Sequence, residues 1–369
     1  MNVCLLGDSL TSLILAKALI NKKIKVKLYY SNQNSINSNT RTIGISSNNI
    51  NFIRDEVIKV DKKLLWEIKK IEIFDDFKKN NKILNFKKLN NKLFYIIKNK
   101  EFYKLLNNSL KKDNSFKKVK IKNDLFYDKI LEKENFDLII NCDKRNKIYK
   151  KYFNKTFYKD YKSIAYSNII KHNEIKNDKA IQVFTKNGPI AFLPISQYET
   201  SVVYSAKTRK NESTIKLTEK TFNNLILQNN KSYKIKKFYQ FETFKLEFKV
   251  PRNYYFRNIL LFGEGLHQIH PLAGQGFNMT LRDLKILIKI ITSKKDLGLP
   301  IDESVNQEFE NQIKHFNFLF ANGVDFFYEF FSLQNYYFKL YSNKIFKKLD
   351  KNKKIKELFI SLADYGLKN

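Results

Sequence analysis

The sequence predicts an α/β fold: a Rossmann-like domain with an inserted, mostly antiparallel sheet, followed by C-terminal helices. Three observations carry that expectation. Residues 2–30 read as the strand "NVCLLG", the helix "SLTSLILAKALINK" and the strand "KIKVKLYY". Strand, tight turn, helix and strand make a βαβ unit, the usual start of a dinucleotide-binding domain. From about 155 to 250 the texture changes to "YKSIAYSNII", "KAIQVFTK", "PIAFLPIS", "ETSVVYSA" and "KIKKFYQFETFKLEFKV". These runs are alternating or β-branched and suit a separate sheet. Finally, the buried strand "NILLFG" (258–263) gives way to the helical pattern "GFNMTLRDLKILIKIITSK".

The remaining elements follow in order. Residues 31–40, "SNQNSINSNT", are polar and turn-rich. Lysine-rich helical patterns are expected through roughly 47–80, then strands at "KILNFKKL" and "KLFYIIKN". "FDLIINCD" (136–143) reads as a buried parallel strand ending in a polar turn. The tail from 303 is helical and aromatic, with Gly323 as a break between two helices. The expected boundaries are residues 1–155 and 246–300 for the two parts of the nucleotide-type domain, 156–245 for the inserted sheet and 301–369 for the helical tail. No internal repeat or flexible linker is visible.

Composition narrows the function classes. The chain has 369 residues, 32 Phe, 21 Tyr and a formal charge of +33. Such a surface attracts phosphates or anionic lipid. Its lysines are spread over the whole length, so a solvated surface is the plain reading. A membrane surface comes next and nucleic acid last, and no nucleic-acid partner is expected. Cys4 and Cys142 lie in apolar runs, make neither a disulfide framework nor a zinc spacing, and fit a reducing compartment. No apolar run approaches the ~18–20 residues that span a bilayer. The first twenty residues lack a basic n-region and a small-x-small cleavage site, so no signal peptide is read there.

Two stretches carry chemistry. The turn "GDSLTS" keeps only Gly7 of a three-glycine dinucleotide fingerprint, with Ser9 and Ser12 at the other two positions. Ser9 could donate a hydrogen bond to phosphate. The second strand ends in Tyr29 and Tyr30, where an acidic residue would hold a ribose. "GEGLHQIHPLAGQGFN" (263–278) is more specific. It holds four of the ten glycines and two of the four histidines. Gly274 and Gly276 free backbone N–H groups at a helix start, and Glu264 ends a strand where a carboxylate could accept sugar hydroxyls. His267 and His270 stand three apart with no further ligand cluster, so no metal is expected.

"LLFGEGLHQIHPLAGQGFNMTLRDLKIL" resembles the second flavin motif of the class A flavin-dependent aromatic-ring monooxygenases, and within them the hydroxylases of ubiquinone biosynthesis. The match runs through Gly263, His267, His270, Pro271, Ala273, Gly274, Gln275, Gly276, Asn278, Asp283 and Leu287. "NGPIAFLPIS" (187–196) resembles the family's substrate-sheet segment, and "RTIGIS" (41–46) the segment whose arginine, here Arg41, lies near the flavin. The departures are Glu264 for an aspartate, Ser9 and Ser12 for glycines, Tyr30 for the ribose acid, Lys144 for a glycine in "NCDKRNK", and Thr280 for a glycine.

The resemblance implies FAD as cofactor, NAD(P)H as reductant and molecular oxygen as co-substrate. It places Gly7, Ser9, Ser12, Arg41, Gly263, Glu264, Pro271, Gly274, Gln275, Gly276 and Asn278 at the cofactor. It implies hydroxylation of an aromatic ring, the substrate being a polyprenylated phenol or quinol intermediate of ubiquinone biosynthesis. A cytoplasmic enzyme at the inner face of the cell membrane, within a ubiquinone-biosynthesis complex, fits that substrate. The alternative is a flavin-poor, inactive relative acting as a scaffold protein. No catalytic acid or base is nominated; His267 and His270 are assigned to packing or loop shape.

Overall fold

The structure is a computed structural model that describes residues 1–31, 40–75, 82–87, 92–133, 135–185, 187–207, 217–230, 232–239, 241–270, 274–332 and 352–367. The chain opens with β1 (Asn2–Leu6), α1 (Leu10–Asn21) and β2 (Lys25–Tyr30), in the expected βαβ order. β1 is paired in parallel on both edges and is buried from Val3 to Leu6. A strand covered on both faces needs a continuous apolar run, which "VCLL" supplies. α1 is apolar all round because it is also enclosed: ten of its residues, Leu10 to Ile20, are buried.

β3 (Thr42–Ser46) runs into α2 (Ser47–Phe52), capped by the Ser46 hydroxyl. Here the structure corrects the sequence expectation. The helix expected over 47–80 ends after α2, one π-helical turn (Ile53–Val57) and one 3-10 turn (Lys62–Leu64). β4 (Trp66–Ile68) and β5 (Lys70–Asp75) follow. Leu64, Ile68 and Ile71 mimic a helical period, but the strands on either side of Lys69 join different sheets. β6 (Lys82–Lys87) and β7 (Phe94–Lys98) lie where strands were expected. Next come α3 (Asn99–Lys111), β8 (Phe116–Lys120), α4 (Leu125–Lys133), β9 (Leu138–Asn141) and α5 (Lys147–Tyr152).

The inserted region holds β10 (Thr156–His172), β11 (Lys179–Thr185), β12 (Gly188–Pro194), β13 (Glu199–Lys207), α6 (Glu219–Asn229), β14 (Ile235–Phe238) and β15 (Glu242–Pro251). The chain then forms β16 (Tyr255–Phe256), β17 (Ile259–Leu261), α7 (Gln275–Asp296), α8 (Glu303–Ser332) and α9 (Lys353–Tyr365). α8 passes through Gly323 unbroken. A helix-interior glycine costs about 1 kcal/mol, and the buried neighbours Ala321, Val324 and Tyr328 hold the helix against the molecule.

Three sheets result. The first has the order β16-β17-β9-β1-β2-β8. From β17 to β8 all neighbours are parallel. The chain builds outward from β1 through β2 on one side and returns to β9 on the other. That reversal opens a crevice at the carboxyl ends of β1 and β9. The large sheet runs β14-β10-β13-β12-β11-β5-β6, with β15 also on β10. It is therefore not confined to residues 156–245, because β5 pairs in parallel with β11. One face packs Tyr166, Ile170, Phe192, Val202 and Tyr204 under Phe222 and Ile226 of α6. The other face turns towards the third sheet, β3-β7-β4, as the hydroxyl contacts of Thr40 with Ser167 and of Thr42 with Ser201 record, both 3.0 Å.

Glu72 on β5 is buried and paired with Lys82 (2.6 Å) and Lys179 (2.8 Å). Burial pushes its carboxyl up, but the hydrogen bonds and charges of the two lysines outweigh this and hold it below the ordinary carboxylate range. The stabilisation is therefore present above the unfolded carboxylate range and lost as pH falls through the folded value. Glu72→Gln should cost about 1–2 kcal/mol at pH 7 in urea titration. The gap between variant and parent should close in acid.

Candidate functional site

Three strand-end loops meet at the crevice. Gly7, after β1, has φ +105° and donates its N–H to Tyr29 O at 2.8 Å. A Cβ on it would stand 2.9 Å from Asp143 Cβ, so this turn touches the loop after β9. Gly263, after β17, has φ +64°, and its Cβ would fall 2.6 Å from Thr11 Cγ2 at the start of α1. Only glycine permits both approaches.

The two serines of the first turn have a local task. Ser9 is the N-cap of α1 and its hydroxyl accepts from Ser12 N at 3.2 Å. The Ser12 hydroxyl accepts from Ser9 N at 3.4 Å, and the two oxygens are 3.0 Å apart. This is a capping box with serine in both places, a signal readable in "SLTS". Ser12 is fully buried. Beside it the structure adds residues that sequence reasoning missed. Buried Asp8 accepts from Tyr103 Oη at 2.8 Å and pairs with Lys118 at 2.8 Å. The Lys118 ammonium lies 4.9 Å from the centre of the Tyr30 ring. A lysine and a tyrosine thus occupy the end of β2, where an acid was expected. Burial, and then the Asp8 carboxylate, push the Tyr103 hydroxyl up.

In the loop after β9, Asn141 and Asn146 exchange amide hydrogen bonds at 3.1 and 2.8 Å. Asp143 accepts from the Arg145 backbone at 3.0 Å and from its Nε at 3.2 Å. In the loop after β17, Glu264 meets Arg41 at 3.3 Å. Glu264 has 53% of its side chain exposed, and protein atoms crowd around the rest of it. That surrounding pushes its carboxyl up, and Arg41, Lys144 and Arg145 more than reverse the effect. Glu264 is a carboxylate at neutral pH.

The helix start that follows is built separately and then joined. Gly274 is the N-cap of α7 at φ +64°, and a Cβ there would lie 3.8 Å from Gly44 N. Asn278 makes the join. Its Nδ2 donates to Gly44 O (3.0 Å) and Gly274 O (3.3 Å). Its Oδ1 accepts from Ser46 N (2.9 Å) and Asn49 Nδ2 (3.0 Å). Asn278 is buried, so its amide shapes the loop. Gln275 stands differently: its Oε1 is buried without a hydrogen-bond partner among the described residues. A Cβ on Gly276 would meet only Ile269 Cγ1, at 3.6 Å, so the protein itself leaves room there.

β3 thus links both halves. Arg41 precedes it and reaches Glu264, while Gly44 within it touches Gly274. Gly7, Ser9, Ser12, Arg41, Gly263 and Glu264 gather around the crevice, and Gly274, Gln275, Gly276 and Asn278 gather on β3. Pro271 and Ala273 lie outside the described residues. The two histidines have separate settings. His267 Nε2 meets Asp283 at 2.8 Å, and Asn317 Nδ2 donates to the same carboxylate. His270 is buried, stacked on Tyr328 at 3.8 Å and edge-on to Tyr161 at 5.3 Å. Burial, then the Lys207 charge, push its imidazole down to about 3. It is neutral at physiological pH.

The family model for squalene epoxidase matches residues 136–365. The chain belongs to the squalene epoxidase family. That match takes in β9, the large sheet apart from β5 and β6, the 263–278 stretch and the C-terminal helices. The 3-demethoxyubiquinol 3-hydroxylase of Escherichia coli (strain K12) is 29% identical over 161 residues, 42% of this chain and 40% of that protein. The mitochondrial ubiquinone biosynthesis monooxygenase COQ6 of Danio rerio is 24% identical over 186 residues, 41% of this chain and 38% of that one. The chain thus spans about two fifths of the length of these curated relatives. In fold it is similar to p-nitrophenol 4-monooxygenase PnpA from Pseudomonas putida DLL-E4, with TM-score 0.78 and 10% identity over 100% of this chain and 98% of that one. Klebsiella pneumoniae HpxO, solved with FAD and uric acid, gives 0.71 and 11% over 100% and 97%. The Rossmann-like fold with inserted sheet is shared with these monooxygenases.

Removing the Asn278 amide would take its partner from half-buried Gly44 O and from buried Ser46 N. Asn278→Ala should destabilise the fold by about 1–3 kcal/mol, measured as a lower denaturant midpoint with an unchanged slope.

Proposed function

We propose that this chain is a FAD-dependent monooxygenase that hydroxylates an aromatic ring, its substrate a polyprenylated phenol or quinol intermediate of ubiquinone biosynthesis. One observation carries the reading: β3 joins the strand-end crevice to the start of α7, Arg41 meeting Glu264 and Gly44 approaching Gly274. The donor set fits FAD. Gly7 and the start of α1 would face its diphosphate. Arg41 and Glu264 would hold its polyol chain, and Gly274, Gln275 and Gly276 its ring system. The orphaned Gln275 Oε1 and the half-exposed Glu264 carboxylate are acceptors awaiting donors of that kind. When bound, FAD supplies reduction by NAD(P)H and activation of molecular oxygen.

The protein's own work is then positioning and water exclusion. Ser163, Ala165, Ser167, Ser201 and Ser205 are small and buried on the face of the large sheet that turns towards β3. Small residues there leave width for a ring between sheet and cofactor. His270, held neutral by burial, adds no charge to the apolar surroundings that a prenylated ring requires. The ubiquinone relatives supply the substrate class, since those proteins are named for it.

Peripheral contact with an anionic membrane face belongs to the same proposal. Among the described residues no helix is long and apolar enough to cross a membrane. Phe316, Leu319 and Phe326 are exposed and follow one face of α8, on a chain of charge +33. Most of 326–356, the stretch that suggested surface binding, lies outside the described residues. Leu319→Ser with Phe326→Ser should reduce co-sedimentation with anionic vesicles severalfold. Equal sedimentation of variant and parent would remove this part of the reading.

A scaffold without flavin remains the competing reading, favoured by the engagement of the Ser9 and Ser12 hydroxyls in a helix cap. Titration with FAD decides between the two. Saturable quenching of flavin fluorescence is expected, with at least a tenfold loss of affinity in Gly276→Val. Because the chain has room for a Cβ at Gly276, that variant should keep the parent's denaturation midpoint. Absence of FAD binding by the parent would leave the scaffold.

A further inference from the structure

We propose that Lys144, with Arg145, holds the diphosphate of the bound dinucleotide by charge, beside a first turn capped by Ser9 and Ser12 and a β2 end that carries Tyr30. The inference rests on the FAD reading and assigns a residue within it. Two observations force the question. The hydroxyls of Ser9 and Ser12 serve each other in the α1 cap. The end of β2 presents Tyr30 beneath the Lys118 ammonium, with Asp8 already engaged by Tyr103 and Lys118. Neither the usual glycine turn nor a ribose-binding carboxylate is present at these positions.

What the crevice offers instead is cationic. The Gly7 turn lies against Asp143, the residue before Lys144. Lys144 therefore stands where the loops after β1, β9 and β17 meet. Its ammonium makes no hydrogen bond or ion pair with a described residue, although Glu264 and Glu247 attract it from farther off. The carboxylates nearby have nearer partners: Asp143 has Arg145, Glu247 has Lys245 at 3.1 Å, and Glu264 has Arg41. Burial disfavours the charged form of Lys144. A diphosphate at the mouth of this crevice would supply the missing counter-charge, and its oxygens suit the fork of Arg145.

The test is fluorescence titration of the full chain with FAD and with riboflavin, which has the ring but neither diphosphate nor adenosine. Lys144→Gln should weaken FAD binding about tenfold or more and leave riboflavin binding unchanged, while Lys144→Arg should restore most of the FAD affinity. ADP should compete with FAD and adenosine should not. Raising ionic strength from about 0.05 to about 0.5 M should weaken FAD binding more in the parent than in Lys144→Gln. Equal FAD affinity in parent and Lys144→Gln overturns the assignment, as does a parallel loss of riboflavin, which would signal a general disturbance of the site. Competition by adenosine as strong as by ADP overturns it too. A parent that binds neither flavin removes the FAD reading itself, a distinct outcome.

Discussion

The site depends on a single buried side-chain amide. Asn278 accepts from Ser46, 232 positions earlier in the chain, and donates to Gly44 two residues before that. A side-chain amide has two donors and two acceptor sites. Here both ends are used between β3 and the first turn of α7. The geometry leaves no freedom to slide one element along the other. Gly274 can then approach Gly44, and Arg41 on the same segment can reach Glu264. Without that junction, the crevice at the sheet end and the helix start on β3 would be two unrelated features.

A glycine turn and a side-chain cation recognise an anion in different ways. Glycine-rich turns recognise phosphate with backbone N–H groups, which requires close approach and gives a contact little affected by salt. Side-chain cations act over a longer range and tolerate a bulkier turn. In this chain the first turn is serine-capped and the neighbouring loop carries Lys144. Arg41, Lys144 and Arg145 keep Glu264 ionised despite the protein atoms around it.

Much of this was legible in the residues. The βαβ start, the strand at 138–141 and the helix after Gly274 follow from uninterrupted apolar runs and from glycines at forced turns. The stretch 263–278 was specific because its residues are rare elsewhere in the chain. The error over 47–80 has a physical origin: Leu64, Ile68 and Ile71 satisfy a helical period, and only partners far along the chain make them strands. β5 shows this most plainly, since its parallel neighbour is β11, more than a hundred residues later. The Asp8–Tyr103–Lys118 cluster was invisible for the same reason. Three unremarkable residues on a turn, a helix and an edge strand carry no mark that they will meet. Ser9 and Asn278 serve the fold as a helix cap and as the join between β3 and α7, tasks that a polar residue type alone does not announce.

The last described helix adds a constraint of timing. Asp364 Oδ1 accepts from Asn48 N at 2.9 Å, and its carbonyl accepts from the Ser46 hydroxyl at 3.4 Å. The Arg282 guanidinium packs where a Cβ on Gly366 would stand, 2.9 Å away. β3 and the turn into α2 are therefore fastened from one side by α7 and from the other by α9. On a ribosome, β3 emerges more than three hundred residues before the helix that closes over it. During that interval the segment carrying Arg41 has its sheet partner β7 but not its clasp. A nascent chain can form β3 and α2 early, yet their contacts with Asp364 wait for a segment made more than three hundred residues later.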